Sequence, residues 1–405
     1  MSRLWKNDAD RGGSNDLIGG ILSKQISILF PPGQQFSCTA CGKCCRQQWR
    51  IRVDPAEAER LESLQAFEQS VKQGYQPLEV VEEQLQLGKK EDSRCVFLQE
   101  DNLCQIHGEG GPEVKPAPCR LFPFQLVGTP DGYYVSLSFS CPAVLCGTGE
   151  LTQHDAEELA LTVKAAPHFF PADLKANENV TVCSGVAIPW LAFREWEEAI
   201  LKLLETPLEL TRALSVAVAT VAEAIVNEAR FEMRVPPGSR VNAVCERMAP
   251  MIAVFRNLCI ASIEESEDLE KRQELLTKLD CGIGFHSNLL DAIVPAEEKP
   301  GTRDLITAEI LTRYVHNQLW GKRLTTGPTF MSRLLYLLVS LEVFWFYLSG
   351  AKTVTGELHF APKQVERCFE FLEAQAIYHQ DILIPIFLEW ENDLLGAAYQ
   401  ESIQV

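Results

Sequence analysis

The sequence predicts an α+β chain: a small cysteine-rich domain with short strands and β-hairpins, beside a larger, mostly α-helical domain. Three observations predict it. Nine of the fourteen cysteines fall between Cys38 and Cys146. Strand-like alternation and turn residues gather in that same stretch, whereas apolar residues beyond position 150 recur at helical spacing. Charge is uneven as well: residues 1–150 carry 15 basic and 19 acidic side chains, and residues 151–405 carry 22 and 36. With 405 residues and roughly 100–200 per domain, the expected division is a tail (1–30), a cysteine-cluster metal-binding domain with a helical insert (31–150) and a helical domain (151–405).

Taken in order, the polar start Met1–Asp8 lacks the uninterrupted apolar stretch of a secretory leader, so the cytosol is the expected compartment. Trp49, Ile51 and Val53 alternate with Arg50 and Arg52, which predicts a strand with one buried face. Asp54-Pro55-Ala56-Glu57 is a capping box with proline in the first turn. The helix it opens should bury Ala58, Leu61, Leu64, Phe67 and Val71, and a second helix is expected from about Leu78 to Leu87. Cys95 to His107 reads as a hairpin turning at Gln99–Asn102, and Phe124 to Phe139 as another, turning at Gly128–Gly132. Three prolines around Cys119 predict an extended path. Pro189 should open a helix through Trp190, Phe193, Trp196 and Leu201. Leu214, Val218, Val221 and Ile225 mark an amphipathic helix after Pro207. Further helices are expected near 242–262, 266–280, 303–321, 329–350, 362–377 and 379–396, with Pro295–Gly301 as a flexible connection. The greasiest stretch, Phe330 to Leu348, contains Arg333 and Glu342 and falls short of the ~20 apolar residues of a membrane span, so none is expected.

The net charge of −18 and pI near 4.9 argue against nucleic acid as a partner, because phosphate-backbone binders need a basic face. The cysteines carry the chemical information. In a reducing compartment such a density fits metal ligation or redox chemistry better than disulfides. The run Cys38-x2-Cys41-x2-Cys44-Cys45 lets one loop aim several sulfurs at a common point, and Gly42 frees the backbone within it. Cys44 and Cys45, as neighbours, are expected to point in different directions. Lys43, Arg46, Arg50 and Arg52 should lower the thiol pKa values and offset a tetrathiolate zinc or iron–sulfur site.

CxxCGxCC, then C-x-F-L…C-x-I-H, then P-x-x-C-R-x-F-P-F and finally C-P resemble the YkgJ-type cysteine-cluster family, described as zinc- or iron-chelating. The resemblance covers roughly residues 34–146 and implies metal ligation by Cys38, Cys41, Cys44, Cys45, Cys95, Cys104, Cys119 and Cys141. Lys115-Pro116 departs from the family's Arg-Pro, and Cys146 is additional. Chain length and layout, together with Cys44–Asp54, Ile310–Trp320 and Tyr378-His379-Gln380, are similar to the flagellin lysine-N-methylases, although Gln48 replaces a usual glycine and Tyr-His-Gln stands where Glu-His-Asn is common. That looser resemblance implies S-adenosylmethionine as methyl donor and a lysine-bearing protein as substrate. His316, His379, Glu342, Tyr314, Tyr336 and Tyr347 are candidates to line a helical pocket, but ordinary core or rim positions account for them more simply. No G-x-G-x-x-G, Walker A or C-x3-C-x2-C sequence occurs. The expectation is a metal-binding protein holding an iron–sulfur cluster or zinc, with lysine N-methylation as the implied activity. The alternatives are a non-enzymatic metal or redox module whose helical domain docks a partner, and a thiol sensor using Cys44 and Cys45.

Overall fold

A computed structural model describes residues 26–47, 49–166, 178–227, 305–355, 362–378 and 380–403, with short pieces at 169–170, 174, 238, 241–242, 244–246, 285–287 and 292–294. Most of the expected helices at 242–262 and 266–280, the connection at 295–301 and His379 lie outside the described residues. The architecture is α+β, with short antiparallel hairpins in the N-terminal part and long helices in the C-terminal part.

The capping box forms as expected. Asp54 accepts from the Glu57 N–H at 2.7 Å and Glu57 accepts from the Asp54 N–H at 3.1 Å, opening α1 (Pro55–Glu62). The single helix expected there is broken at Ser63–Leu64, and a new one, α2, runs from Gln65 to Lys72. Glu109 supplies the reason: its carboxylate accepts from the Gln65 and Ala66 N–H groups at 2.7 and 2.8 Å, capping a fresh helix start. The break turns Val71 to solvent, where it is 51% exposed, rather than into the core.

Residues 78–87 form a hairpin instead of a helix, β2 (Leu78–Val81) with β3 (Gln84–Leu87). Its β-branched and alternating residues favour strands, and Glu82 and Glu83 adopt positive φ in the turn. Trp49–Val53 is extended, but it pairs with β3 only through an isolated bridge at Arg52–Gln86 and two backbone hydrogen bonds.

Two further loops differ from expectation. Cys95–His107 turns at Gln99–Asn102 as predicted, yet its sides meet at the single bridge Leu98–Cys104, and Gln105–Gly110 coils into α3. Cys119 lies in a short helix, α4 (Ala117–Leu121), because Pro118 occupies the first turn, where the missing N–H costs nothing.

The second hairpin is present as β4 (Phe124–Thr129) and β5 (Gly132–Leu137), and β1 (Ile28–Leu29) adds a parallel edge in the order β1-β5-β4. It leads into α5 (Pro142–Cys146) and α6 (Gln153–Ala165). A third hairpin, β6 (Asn179–Cys183) and β7 (Val186–Pro189), runs into α7 (Trp190–Leu204), opened at Pro189 as expected. In α8 (Leu210–Val226) the small residues between the larger apolar ones are buried too, so the helix is enclosed nearly all round rather than amphipathic. A short pair, β8 (Phe285–Ser287) and β9 (Ala292–Val294), precedes α9 (Leu305–Trp320), α10 (Phe330–Thr355), α11 (Pro362–Tyr378) and α12 (Gln380–Ile403). Among the described residues no helix is long and apolar enough to cross a membrane.

The largest apolar core takes Tyr134, Leu137 and Phe139 from around β5 together with residues of α7, α8, α9 and α10. Asn317 of α9 fixes this seam by donating to the Leu137 carbonyl at 2.8 Å and accepting from its N–H at 2.9 Å. A second, smaller core lies under the cysteine loops and contains Val53, Leu61, Leu87, Val96, Phe97, Leu98 and Ile106.

Candidate metal centre

Cys44 and Cys45 lie in a tight 3-10 turn, Lys43–Arg46, that starts from Gly42 at φ 69°. A Cβ on Gly42 would come within 3.0 Å of the Asn102 Cβ, so the first cysteine run passes directly against the turn between Cys95 and Cys104. Arg46 ties the same two segments, donating to the Asn102 side chain and, at 3.4 Å, to the Cys41 carbonyl. The Cys45 carbonyl accepts from the Cys95 N–H at 2.8 Å. Loop sterics and backbone pairing thus bring residues fifty positions apart side by side.

The thiols fall into two electrostatically connected sets. In the first, the sulfurs of Cys44 and Cys45 are 4.0 Å apart, facing each other rather than diverging as expected of adjacent residues. The hydrogen bond from Cys45 holds Cys44 down at about 6 against the opposing effect of burial, and the Lys115 ammonium lowers it further. Cys45 is raised for the complementary reason: its hydrogen bond to Cys44, its burial, and the charges of Cys44, Cys95 and Cys104 all favour the thiol. Burial pushes Cys95 up to about 11, with Cys104 adding to the shift. Cys119 is raised by burial and by Cys95, Cys104 and Cys44, while Lys115 opposes them.

The second set is Cys38, Cys41 and Cys141. Burial raises Cys141 to about 11, partly offset by the Val144 and Ala143 N–H groups, and Cys41 and Cys38 raise it further. Phe36 anchors this loop edge-on against Phe124, centroids 5.4 Å apart, and the Ala40 N–H points at the Cys38 sulfur at 3.5 Å. Among the described residues no three His, Cys, Asp or Glu side chains already stand close enough to hold an ion. His107 lies within α3.

The cations around the first run are committed elsewhere. Lys43 pairs with Glu366 and Glu370 of α11, Arg50 with Glu82, and Arg52 with the Gln84 side chain. Lys115, noted in the sequence only as standing where the family has arginine, is the basic residue whose charge reaches Cys44 and Cys119. Glu366, Glu370 and Glu373 also went unremarked, although their spacing of four and three places them on one helix face. Glu373 accepts from the Ser138 hydroxyl and from the Phe139 N–H at 2.8 Å, so α11 binds the loop that leads to Cys141.

Beside the first sulfur set opens a cavity of about 640 Å³. Cys44, Cys45, Cys95, Cys104 and Cys119 line it, together with Tyr314 and Tyr336 of α9 and α10. His316 and Glu342 do not line it.

Residues 37–147 match the family model CxxCxxCC, described as "Putative zinc- or iron-chelating domain". This stretch is a CxxCxxCC domain. An uncharacterized protein of Methanocaldococcus jannaschii is 30% identical to the chain over 101 residues, which is 25% of this chain and 33% of that protein. The chain therefore spans about a third of the length of that relative. No solved structure matches. The CxxCxxCC domain includes both sulfur sets, the β4–β5 hairpin and Lys115, whereas α11 and its three carboxylates come from outside it.

Proposed function

We propose that the CxxCxxCC domain holds metal in two neighbouring centres. Cys44, Cys45, Cys95, Cys104 and Cys119 supply the first, and Cys38, Cys41 and Cys141 contribute to the second. The observation carrying this reading is the convergence of separate stretches of chain: the Cys95 N–H donates to the Cys45 carbonyl, Cys119 responds to Cys95, Cys104 and Cys44, and Cys141 responds to Cys41 and Cys38. All-sulfur donors suit zinc or an iron–sulfur cluster rather than calcium or magnesium. Sulfurs held protonated by burial become thiolates on loading, so binding draws the loops together and contributes to folding free energy. Bound zinc supplies a structural cross-link, and a bound iron–sulfur cluster supplies one-electron transfer.

Anaerobic purification followed by iron, zinc and acid-labile sulfide analysis tests the proposal. Stoichiometric metal that falls in Cys119→Ser and, separately, in Cys141→Ser supports it. Metal-free protein with unchanged folding refutes it.

The cavity favours a second reading, lysine N-methylation of a protein with S-adenosylmethionine as donor. A lysine amine entering from outside would meet the Tyr314 and Tyr336 rings and the Glu373 carboxylate, which line the cavity. Incubation with methyl-labelled S-adenosylmethionine and basic protein substrates, read as methyl-lysine by mass spectrometry, decides it. Absence of both donor binding and methyl-lysine leaves the metal centre as the function.

A further inference from the structure

Charge does not balance among the residues that the helical part contributes to the cavity. Arg323, in the 3-10 turn Arg323–Thr325, and Arg333, in the first turn of α10, both line it. Burial pulls Arg323 below the usual arginine range, and the nearby Arg333 charge pulls it further. Burial lowers Arg333 likewise, and its Nε is enclosed without a hydrogen-bond partner. Among the described residues neither guanidinium forms an ion pair. The cavity's carboxylates take their hydrogen bonds elsewhere, although the Glu373 charge acts on Arg323 and opposes its lowering. Glu373 accepts from Ser138, Phe139 and Ser140, and Glu370 takes Lys43 at 2.5 Å and Gln47 at 2.8 Å. No cysteine charge contributes to either arginine.

A guanidinium cannot relieve its burial by losing a proton at ordinary pH. Two of them lining one cavity therefore call for an anion, and a planar carboxylate matches the guanidinium fork. The remaining wall describes the rest of that ligand. Trp49 and Phe122, ring centroids 4.8 Å apart, continue into Phe124 and Leu337. At about 640 Å³ the space is of small-molecule size, so an inorganic anion would fill only one corner.

We propose that the cavity binds an amphipathic organic carboxylate, its anionic head between Arg323 and Arg333 and its apolar body against Trp49, Phe122 and Phe124. The site is independent of which metal the cysteines hold.

Titration calorimetry on the full chain, as purified with its metal, tests this with octanoate as the probe and 1-octanol, octylamine and inorganic phosphate as comparators. Saturable octanoate binding, with each comparator about tenfold weaker or worse, is the expected result, since one charge-assisted hydrogen bond is worth that much. Arg323→Gln and Arg333→Gln should each weaken octanoate about tenfold, and Arg333→Lys should retain part of the affinity. Arg323→Gln and Arg333→Gln should keep the metal content of the wild type while losing octanoate affinity, which separates this site from the metal reading. Equal binding of 1-octanol, tight binding of phosphate alone, no saturable octanoate binding, or octanoate affinity unchanged in both glutamine variants would overturn the proposal. Urea unfolding without ligand gives a second check. Removing an uncompensated charge should leave the midpoint of Arg333→Gln unchanged or raised, and a clear drop would mean that the guanidinium already has its partner.

Discussion

The two cores of this protein are built on different principles. Under the cysteine loops ten of the described residues are buried together, Cys95 among them, and the elements around them are helices of five to eight residues and a hairpin of two four-residue strands. The core shared by β5 and the long helices encloses several aromatic rings in mutual contact, Phe139, Tyr314, Phe344 and Phe369. A core as small as the first leaves little surplus over chain entropy, whereas the second has surplus to spare. Cross-linking of sulfurs belongs where hydrophobic burial is scarce.

The most severe break in that comparison is removal of metal. Chelation should abolish protection of residues 38–119 in hydrogen exchange while the α8 and α10 amides stay protected; equal loss in both regions would show a single cooperative unit. Next comes Phe344→Ala, at about 3–5 kcal/mol for a buried aromatic, read as a lower urea midpoint of the helical part with metal content unchanged. Gly42→Ala sharpens the other side. A side chain at φ 69° costs about 1–2 kcal/mol, and the contact with Asn102 should make this variant lose metal from the first sulfur set before the second. The smallest effect is expected from Asp131→Asn on the surface of the β4–β5 turn. Burial raises the Asp131 carboxyl, but hydrogen bonds from Trp190 and Arg194 prevail and hold it below the usual carboxylate range. Its contribution is present above the unfolded value near 3.8 and is lost as pH falls through the lower folded one. Stability of wild type and variant, compared across pH 2–6, should therefore converge only at the acid end.

Elements whose signals are local were legible in advance. The Asp54–Glu57 capping box, the Pro189 helix start and the β4–β5 turn depend on residues within four positions of each other. The misreadings arose where a distant residue decided the matter. Glu109 caps a second helix inside what reads as one, and the Cys95–Cys104 loop keeps its turn but trades its outgoing strand for α3. The stretch from Leu78 to Leu87 is ambiguous in a different way. Its apolar positions satisfy helix and hairpin patterns alike, and only pairing beside Arg52 selects one. For the candidate site, the eight cysteines were named through the family resemblance, whereas the proposed grouping into two sets and the effect of Lys115 on Cys44 and Cys119 come from the folded chain.

Cysteine spacing, capping residues and apolar periodicity are properties of short windows, so the sequence alone determined the donor chemistry, the α+β class and most helix starts. Which thiols face one another, which cations reach them, and the placing of Arg323 and Arg333 in one cavity came from tertiary structure. Electrostatic and packing energies act through space, and they depend on separations that residues hundreds of positions apart acquire only when the chain is folded.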